Sequence, residues 1–416
     1  MKSDFTKRRP LGGSISRRSL LAISAGAVAA TALPGLSAAW AQDGDIKVGA
    51  LMPLSGAGGS FGQEMLTSAK VALEEINAAG GPLGRKIVLV VENDETSPEA
   101  AVRGARKLVD VDKVSAIVGT WASSVTLAVA PIVQEKKLIQ LSTSGASRIT
   151  EVQKKGHLFR TEPDDLLFGK AYAEYANSQG WKKAAVLGLN VPFTQMTVAA
   201  FRQRFEERGG KVMSFTTYNE DQTTFRSEVT RAFVDQPDFI HISGYEPDIT
   251  AILKAAYQLG LSGRFIVPGF AVSPELIKNA GPAAEGLLLV EEGVAEGSPA
   301  YDRLAKALGG DRYYSFGAQA YDQLVLLALA IEAAKSTDGT ALNDAVRKVS
   351  GPDGAKVTSF AEGIKALRTG EQVNYEGASG AIDFDANGNI AKANFRVSQV
   401  KDGKIMPIGA VKDVVF

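Results

Sequence analysis

VSAIVGTWASSVTLAVAPIVQEKKLIQLSTSGASRIT, residues 114–150, decides the fold. Two short apolar strands, Ser115–Val118 and Leu138–Leu141, flank a helix at roughly Ser124–Lys136. Each strand runs into a loop of small hydroxyl residues. The first is Gly119-Thr120-Trp121-Ala122-Ser123-Ser124 and the second is Leu141-Ser142-Thr143-Ser144-Gly145-Ala146-Ser147. In an open α/β sheet, ligands sit in the crevice beyond the carboxyl ends of the strands. Both loops deliver hydroxyls and backbone N–H groups there. The helix start at Ser123/Ser124 adds unpaired N–H groups and a positive dipole end, which suits a carboxylate. Neither loop contains an acid, a base or a partner for a nucleophile, so the equipment is for holding a small polar ligand. Taken singly, Ser123 also fits a helix N-cap and the second loop a Ser/Gly turn. Their pairing after consecutive strands favours binding.

Outward from this stretch the chain alternates strand and helix. Ile46–Leu51 is a buried strand, followed by the Ser55–Gly62 loop and a helix to about Ala79. Lys86–Val91 and the helix Pro98–Val111 come next. A second series starts at strand Ala184–Leu189 and continues with helix Thr194–Arg208, strand Val212–Phe215 and helix Phe225–Val234. Strand Phe239–Ser243, helix Pro247–Leu259, strand Phe265–Val267 and strand Leu287–Val290 extend it. Such alternation predicts right-handed βαβ crossovers and a mostly parallel sheet. The long helix Phe316–Lys335 has an apolar face, most simply core. Helices Ala341–Val349 and Thr358–Leu367 follow. Near the C-terminus Gly380–Phe384, Ala393–Val400 and Lys404–Pro407 read as antiparallel strands, with turns at Asn387-Gly388 and Asp402-Gly403.

The N-terminus is a separate segment. Lys2, Lys7, Arg8, Arg9, Arg17 and Arg18 precede an apolar run, Leu20–Leu33, which ends in Ala39-Trp40-Ala41. That is the layout of a secretory signal peptide, and the run is short for a membrane span. Ser16-Arg17-Arg18-Ser19-Leu20-Leu21 fits the twin-arginine signal. Cleavage is expected after Ala41, leaving 375 of 416 residues in the periplasm. The whole chain has 46 basic and 46 acidic residues. Residues 1–41 hold six of the former and one of the latter, so the remainder is acidic by about five. That is no nucleic-acid footprint. The chain has no cysteine, which excludes disulfides, thiolate catalysis, cysteine metal sites and a lipidated cysteine anchor.

Several pieces, in order, carry a family resemblance. IKVGALMPLSGAGGSFGQEMLTSAKVALEEINAAGGPLGRKIVLVVENDETSPEAAV (46–102) is similar to the start of Leu/Ile/Val-type periplasmic binding proteins, the receptors of branched-chain amino-acid ABC transporters. VSAIVGTWASS, FRTEPDD, DFIHISGYEPDITAILKAAYQLG and AAEGLLLV match in sequence order. The resemblance implies two Rossmann-like α/β lobes joined by a three-crossing hinge, a type I clamshell. Lobe 1 would be 42–161 with 290–377, and lobe 2 would be 162–289 with 378–416. The crossings would fall near Arg160–Thr161, Leu289–Val290 and Glu376–Ala378.

It further implies a ligand carboxylate held by Ser123 and by Thr143, Ser144 and Gly145, where relatives often have threonine at the position of Gly145. Asp165 matches an acid near the ligand ammonium, and Tyr245 a cleft tyrosine. Phe193 replaces a more usual tyrosine. Relatives commonly place a second acid after strand Phe265–Val267; here the residues are Pro268-Gly269-Phe270-Ala271. Trp121, Phe193, Tyr245 and Phe270 suit aromatic cleft walls. Trp121 and Phe270 equally suit the core or hinge, and Asp165 a helix N-terminal acid.

The expected function is therefore a monomeric solute-binding protein delivering a branched-chain or other hydrophobic amino acid to inner-membrane ABC permease subunits. The alternatives are an aromatic or aliphatic carboxylate or amide lacking the amine, or a ligand-sensing partner of a receptor. No catalytic residue, cofactor or metal is expected. His157 and His241 are the only histidines and lack metal-ligand spacing. No G-x-S-x-G elbow occurs. The Ser55–Gly62 loop has neither a G-K-[ST] ending nor a G-x-G-x-x-G pattern. Asp383–Gly388 imitates the start of an EF-hand but would have Asn394 at the twelfth position, so it reads as a hairpin turn. The acid pairs Glu74/Glu75, Glu206/Glu207 and Glu291/Glu292 read as solvated faces.

Overall fold

The computed structural model describes residues 44–415, apart from 155, 221, 294–296, 311–314 and 391. The signal-peptide reading of residues 1–41 lies outside them. Five strands form a first sheet: β1 Ile46–Met52, β2 Ile87–Asn93, β3 Ala116–Gly119, β4 Ile139–Ser142 and β5 Leu158–Arg160. Their order is β2-β1-β3-β4-β5, and every pair is parallel. β1, β3 and β4 are buried almost throughout. This is why they read as continuous apolar runs rather than alternating ones.

A second sheet begins with β6 Lys183–Leu189, β7 Lys211–Tyr218, β8 Phe239–Ser243, β9 Phe265–Pro268 and β10 Leu288–Glu292. The chain then returns to the first lobe. There the helix Ser315–Ala334 packs on the helix Gly59–Ala78, and a small parallel pair forms from β11 Ala355–Val357 and β12 Val373–Tyr375. Finally β13 Lys392–Lys401 and β14 Lys404–Val415 complete the second sheet, in the order β14-β13-β10-β9-β8-β6-β7. The β10–β13 and β13–β14 pairs are antiparallel and the others parallel. Two α/β lobes with three chain crossings result.

The Asp402-Gly403 hairpin is as read: both residues have positive φ, as a two-residue type I′ turn requires. Three expectations need correction. Gly380–Phe384 is not a strand but is tied by isolated bridges, Glu376 to Ala381 and Phe384 to Ile390. β14 continues well past Pro407, because that proline lies on an edge strand where no ladder donor is needed. Glu291 and Glu292 are not solvated; both are buried at the end of β10. Glu291 is paired with Arg396 at 2.9 Å.

The three crossings are held by one helix. Ser315–Ala334 is buried along nearly its whole length, as an all-round apolar helix must be. Among the polar residues that interrupt it, Gln319, Asp322 and Gln323 have i, i+3, i+4 spacing, which puts them on one face. Gln323 donates to Thr161 Oγ1 at 3.0 Å on the first crossing and accepts from the Gly119 N–H at 2.9 Å. Gln319 donates to Glu162 on the first crossing and to Glu292 where β10 ends. Asp322 accepts from Tyr375 Oη, the Ala378 and Ser379 N–H groups and Ser379 Oγ, at 2.6–2.8 Å, on the third.

Candidate ligand-binding site

The two hydroxyl loops meet at the carboxyl ends of β3 and β4. Gly119 ends β3 with φ +115°, and a Cβ there would lie 2.6 Å from the Leu51 carbonyl oxygen, so the turn into the loop needs glycine. Ser123 is the first residue of the helix Ser123–Glu135; the N-cap is Ala122, which makes no side-chain cap bond. The Ser123 hydroxyl instead accepts from the Ala146 N–H at 3.1 Å, which joins the loops. One acceptor site is thus used and its O–H remains a donor. The Ser144 hydroxyl faces inward. It donates to the Trp121 carbonyl at 2.8 Å and lies 2.6 Å from Thr126 Oγ1, so it staples the loops together behind the cavity wall.

A cavity of about 20 Å³ lies between the lobes, lined by Trp121, Ala122, Ser123, Thr143, Gly145, Glu162, Phe193, Tyr245, Phe270 and Phe316. Seven of the nine residues singled out in the sequence line it. Ser144 and Asp165 do not. Roomier hollows of about 660 and 470 Å³ open elsewhere, but one lies among Leu166, Lys170, Glu174 and β14 and the other beside Ser147 and Asp385, neither between the two strand-end crevices.

The walls are aromatic and come from both lobes. Trp121 stands 5.1 Å from Tyr245 and 6.3 Å from Phe270, and Phe270 is 5.9 Å from Phe193 (ring centroids). Phe61 and Phe316 complete the cluster at 5.1 and 5.8 Å from Trp121. Phe270 lies just after β9, in the stretch Pro268-Gly269-Phe270-Ala271, which has no acid. Gly145 lets the opposing lobe approach: a Cβ there would lie 2.7 Å from Phe193 Cε2 and 3.1 Å from the Pro163 carbonyl oxygen. A threonine at 145 and this phenylalanine are sterically incompatible. Space for about one water remains, whereas small-molecule pockets run to ~300 Å³ or more. The lobes are closed, and a ligand requires them to part.

The acids divide into two groups. Asp165 opens the helix Asp165–Ser178. Its N–H donates to the Gly145 carbonyl at 2.7 Å, and Oδ2 accepts from the Ser147 N–H at 2.9 Å. Burial, then the charge of neighbouring Asp164, push its pKa up to about 8 against the pull of the Ser147 N–H. Asp165 thus supports the second loop from behind. Glu162, in contrast, faces the cavity and shares Gln319 with Glu292. Burial raises both of these carboxyls, and the charge of Glu162 adds to the effect on Glu292.

Arg160 fixes this wall. Fully buried, it donates to the Gly145 and Ala146 carbonyls at 3.2 and 2.9 Å, to Thr150 Oγ1 at 2.9 Å and to Asn389 Oδ1 at 2.8 Å. It also pairs with Asp164 at 3.3 Å. Asp164 in turn caps the helix Asp165–Ser178 through the Leu166 and Leu167 N–H groups. The second hydroxyl loop and the first crossing are therefore one hydrogen-bonded body.

A periplasmic binding protein family model matches residues 45–404. The chain belongs to the Leu/Ile/Val-type periplasmic binding protein family. It is 27% identical over 77% of its length to the leucine-, isoleucine-, valine-, threonine- and alanine-binding protein of Pseudomonas aeruginosa, covering 86% of that protein. A leucine-binding protein from Thermotoga maritima superposes with a TM-score of 0.77 at 27% identity, over 88% of this chain and 99% of that one. An ABC-transporter solute-binding protein from R. palustris, solved with benzoate, shares the fold. Its TM-score is 0.72 at 22% identity, over 89% of this chain and 98% of that one. The family consists of periplasmic solute-binding proteins. Among the described residues no helix is long and apolar enough to cross a membrane.

Glu162, Phe316 and the polar face of Ser315–Ala334 were missed from sequence. A signal existed for the helix: three polar residues at i, i+3, i+4 in a largely apolar run need buried partners. Glu162 offered none beyond its place in FRTEPDD.

Proposed function

We propose that the protein is the substrate-binding component of an ABC transporter and closes its two lobes on a small hydrophobic amino acid. The observation carrying this reading is a cavity at the strand ends of both lobes, edged by the Ser123 hydroxyl and walled by Trp121, Phe193, Tyr245 and Phe270. The ligand carboxylate would accept from Ser123 Oγ and from the free N–H groups of the first turn of its helix, beside Thr143 and Gly145. Aromatic rings would cover its side chain. The relatives named above for leucine, isoleucine and valine support the ligand class. The closed, loaded form would then dock on permease subunits, with ligand shifting the open–closed balance.

Phe270, lining the cavity in a stretch, Pro268-Gly269-Phe270-Ala271, that has no acid, favours one second reading: an aromatic carboxylate without an amine. A thermal-shift screen of the chain from Gln42 onward, against amino acids and amine-free acids, tests both. A ligand at about a hundredfold over Kd adds roughly 2.7 kcal/mol to stability. A shift with leucine, valine or phenylalanine supports the first reading and one confined to amine-free acids the second. No shift with any carboxylate overturns both.

A further inference from the structure

We propose that Thr96 is a positioning residue of the ligand site: from the end of β2 it clamps the loop 53–58 against the Trp121 ring and so fixes one wall of the cleft. This rests on the reading above that Trp121 walls the ligand. The first sign is in the backbone. Glu95 and Thr96 both take left-handed φ values, 54° and 58°. Residues other than glycine are uncommon there, and a β-branched one is an outlier. Such strain persists only where the surroundings over-determine it, and it gathers at functional positions.

The surroundings here are specific. Asp94 is buried and accepts from the Thr96 N–H at 2.8 Å. Asn93 Oδ1 accepts from the Leu54 and Glu95 N–H groups, both at 2.9 Å, and the Asn93 amide donates to Ser55 Oγ at 2.8 Å. Thr96 makes the central pair of bonds. Its hydroxyl donates to the Ser55 carbonyl and accepts from the Gly58 N–H, each at 3.0 Å. The donor and an acceptor site of one hydroxyl thus both serve the neighbouring loop. Gly56 completes the fit, since a Cβ there would lie 2.3 Å from the Glu95 carbonyl oxygen.

What the clamp holds is the support of the indole. The loop is exposed at Ser55 and Gly56 but buried at Gly58. There a Cβ would lie 2.8 and 2.9 Å from Trp121 Cε3 and Cζ3. Phe61, in the first turn of the helix Gly59–Ala78, stands 5.1 Å from the same ring, and Tyr245 of the other lobe is also at 5.1 Å (centroids). The Trp121 backbone is held separately, its carbonyl by the Ser144 hydroxyl. The loop therefore governs the ring rather than the chain. A wall fixed before the ligand arrives saves the ordering cost of binding.

The test compares Thr96→Gly with Thr96→Ser in the chain from Gln42 carrying Trp181→Phe, where Trp121 is the sole tryptophan. Glycine removes the hydroxyl and relieves the left-handed strain together, so loss of the clamp is separated from loss of the fold. Serine keeps the hydroxyl. Without ligand, Thr96→Gly should shift Trp121 emission to the red and raise its quenching by acrylamide, with Thr96→Ser matching the parent. Titrated with L-phenylalanine and 3-phenylpropanoate, Thr96→Gly should bind about threefold or more weakly, and Thr96→Ser within about twofold of the parent. Unchanged emission or unchanged affinity in Thr96→Gly, or a serine variant as impaired as the glycine one, overturns the positioning role. If Thr96→Gly does not fold, Gly58→Ala reads the contact from the loop side. Its Cβ should displace the indole and alter emission and affinity, and no change in either overturns the proposal. If neither probe binds the parent, the ligand reading falls, while the emission comparison still decides the clamp.

Discussion

Gly145→Ala tests the closed geometry. A Cβ on residue 145 of the first lobe would stand 2.7 and 2.9 Å from two ring carbons of Phe193, which belongs to the second. It would also lie 3.1 Å from the Pro163 carbonyl oxygen. Cβ atoms essentially never approach that closely, so Phe193 must move. Packed on Phe168 and Phe270, its ring has little freedom to do so. Overpacking of this kind costs about 1–3 kcal/mol. Here the clash exists only when the lobes are closed, so the penalty falls on closure rather than on folding. Ligand affinity should drop about 5- to 150-fold, with the melting temperature of the ligand-free protein almost unchanged. Calorimetric titration with whichever carboxylate binds the parent protein, alongside a thermal melt, reads both. Unchanged affinity would refute the premise that Gly145 and Phe193 meet in the ligand-bound form. Lost affinity with an equally large drop in melting temperature would instead place the strain in the fold.

Ser123→Ala removes one donor to the carboxylate and one acceptor for Ala146, and should weaken carboxylate binding about tenfold or more by titration; equal affinity would exclude Ser123 from the grip. Asp322→Ala leaves the Ser379 and Ala378 N–H groups and two hydroxyls without their acceptor. It should destabilise the protein by on the order of 3 kcal/mol in urea unfolding, whereas a loss below about 1 kcal/mol would show that the third crossing is held otherwise. Asp165 has a pKa raised to about 8 by burial, so the folded state holds a proton there that the unfolded chain releases near its ordinary value. Its contribution to stability is therefore undiminished below about pH 4 and falls as pH rises toward about 8. Asp165→Asn should gain melting temperature relative to the parent across that window; a difference independent of pH would contradict the protonated state.

The legible parts of the sequence were those set by backbone periodicity. Runs such as Ile46–Leu51 and Phe239–Ser243 are apolar because both faces of a central parallel strand are covered, and that pattern survives in sequence. The hydroxyl loops were legible for the same reason: loops after consecutive strands must open on one crevice. The acid cluster was not. Glu291-Glu292 looks like any surface pair, and only the pairing of β10 with β13 and β9 shows that it is enclosed. Glu162 and Gln319 are 157 residues apart, and no local rule joins them. Phe316 was read as core because a helix buried all round gives no sign of which turn faces a cleft. The role of Gly145 likewise depends on Phe193, on the other lobe.

The central claim is that a small carboxylate binds against Trp121 between the lobes. The most direct measurement is fluorescence titration of the chain from Gln42 carrying Trp181→Phe. The full chain has three tryptophans, and this leaves Trp121 as the sole emitter. A saturable change in its emission with L-leucine, L-phenylalanine or 3-phenylpropanoate, weakened about tenfold or more by Ser123→Ala, is the predicted result. No saturable change with any of them, in a protein confirmed to be folded, would contradict the account.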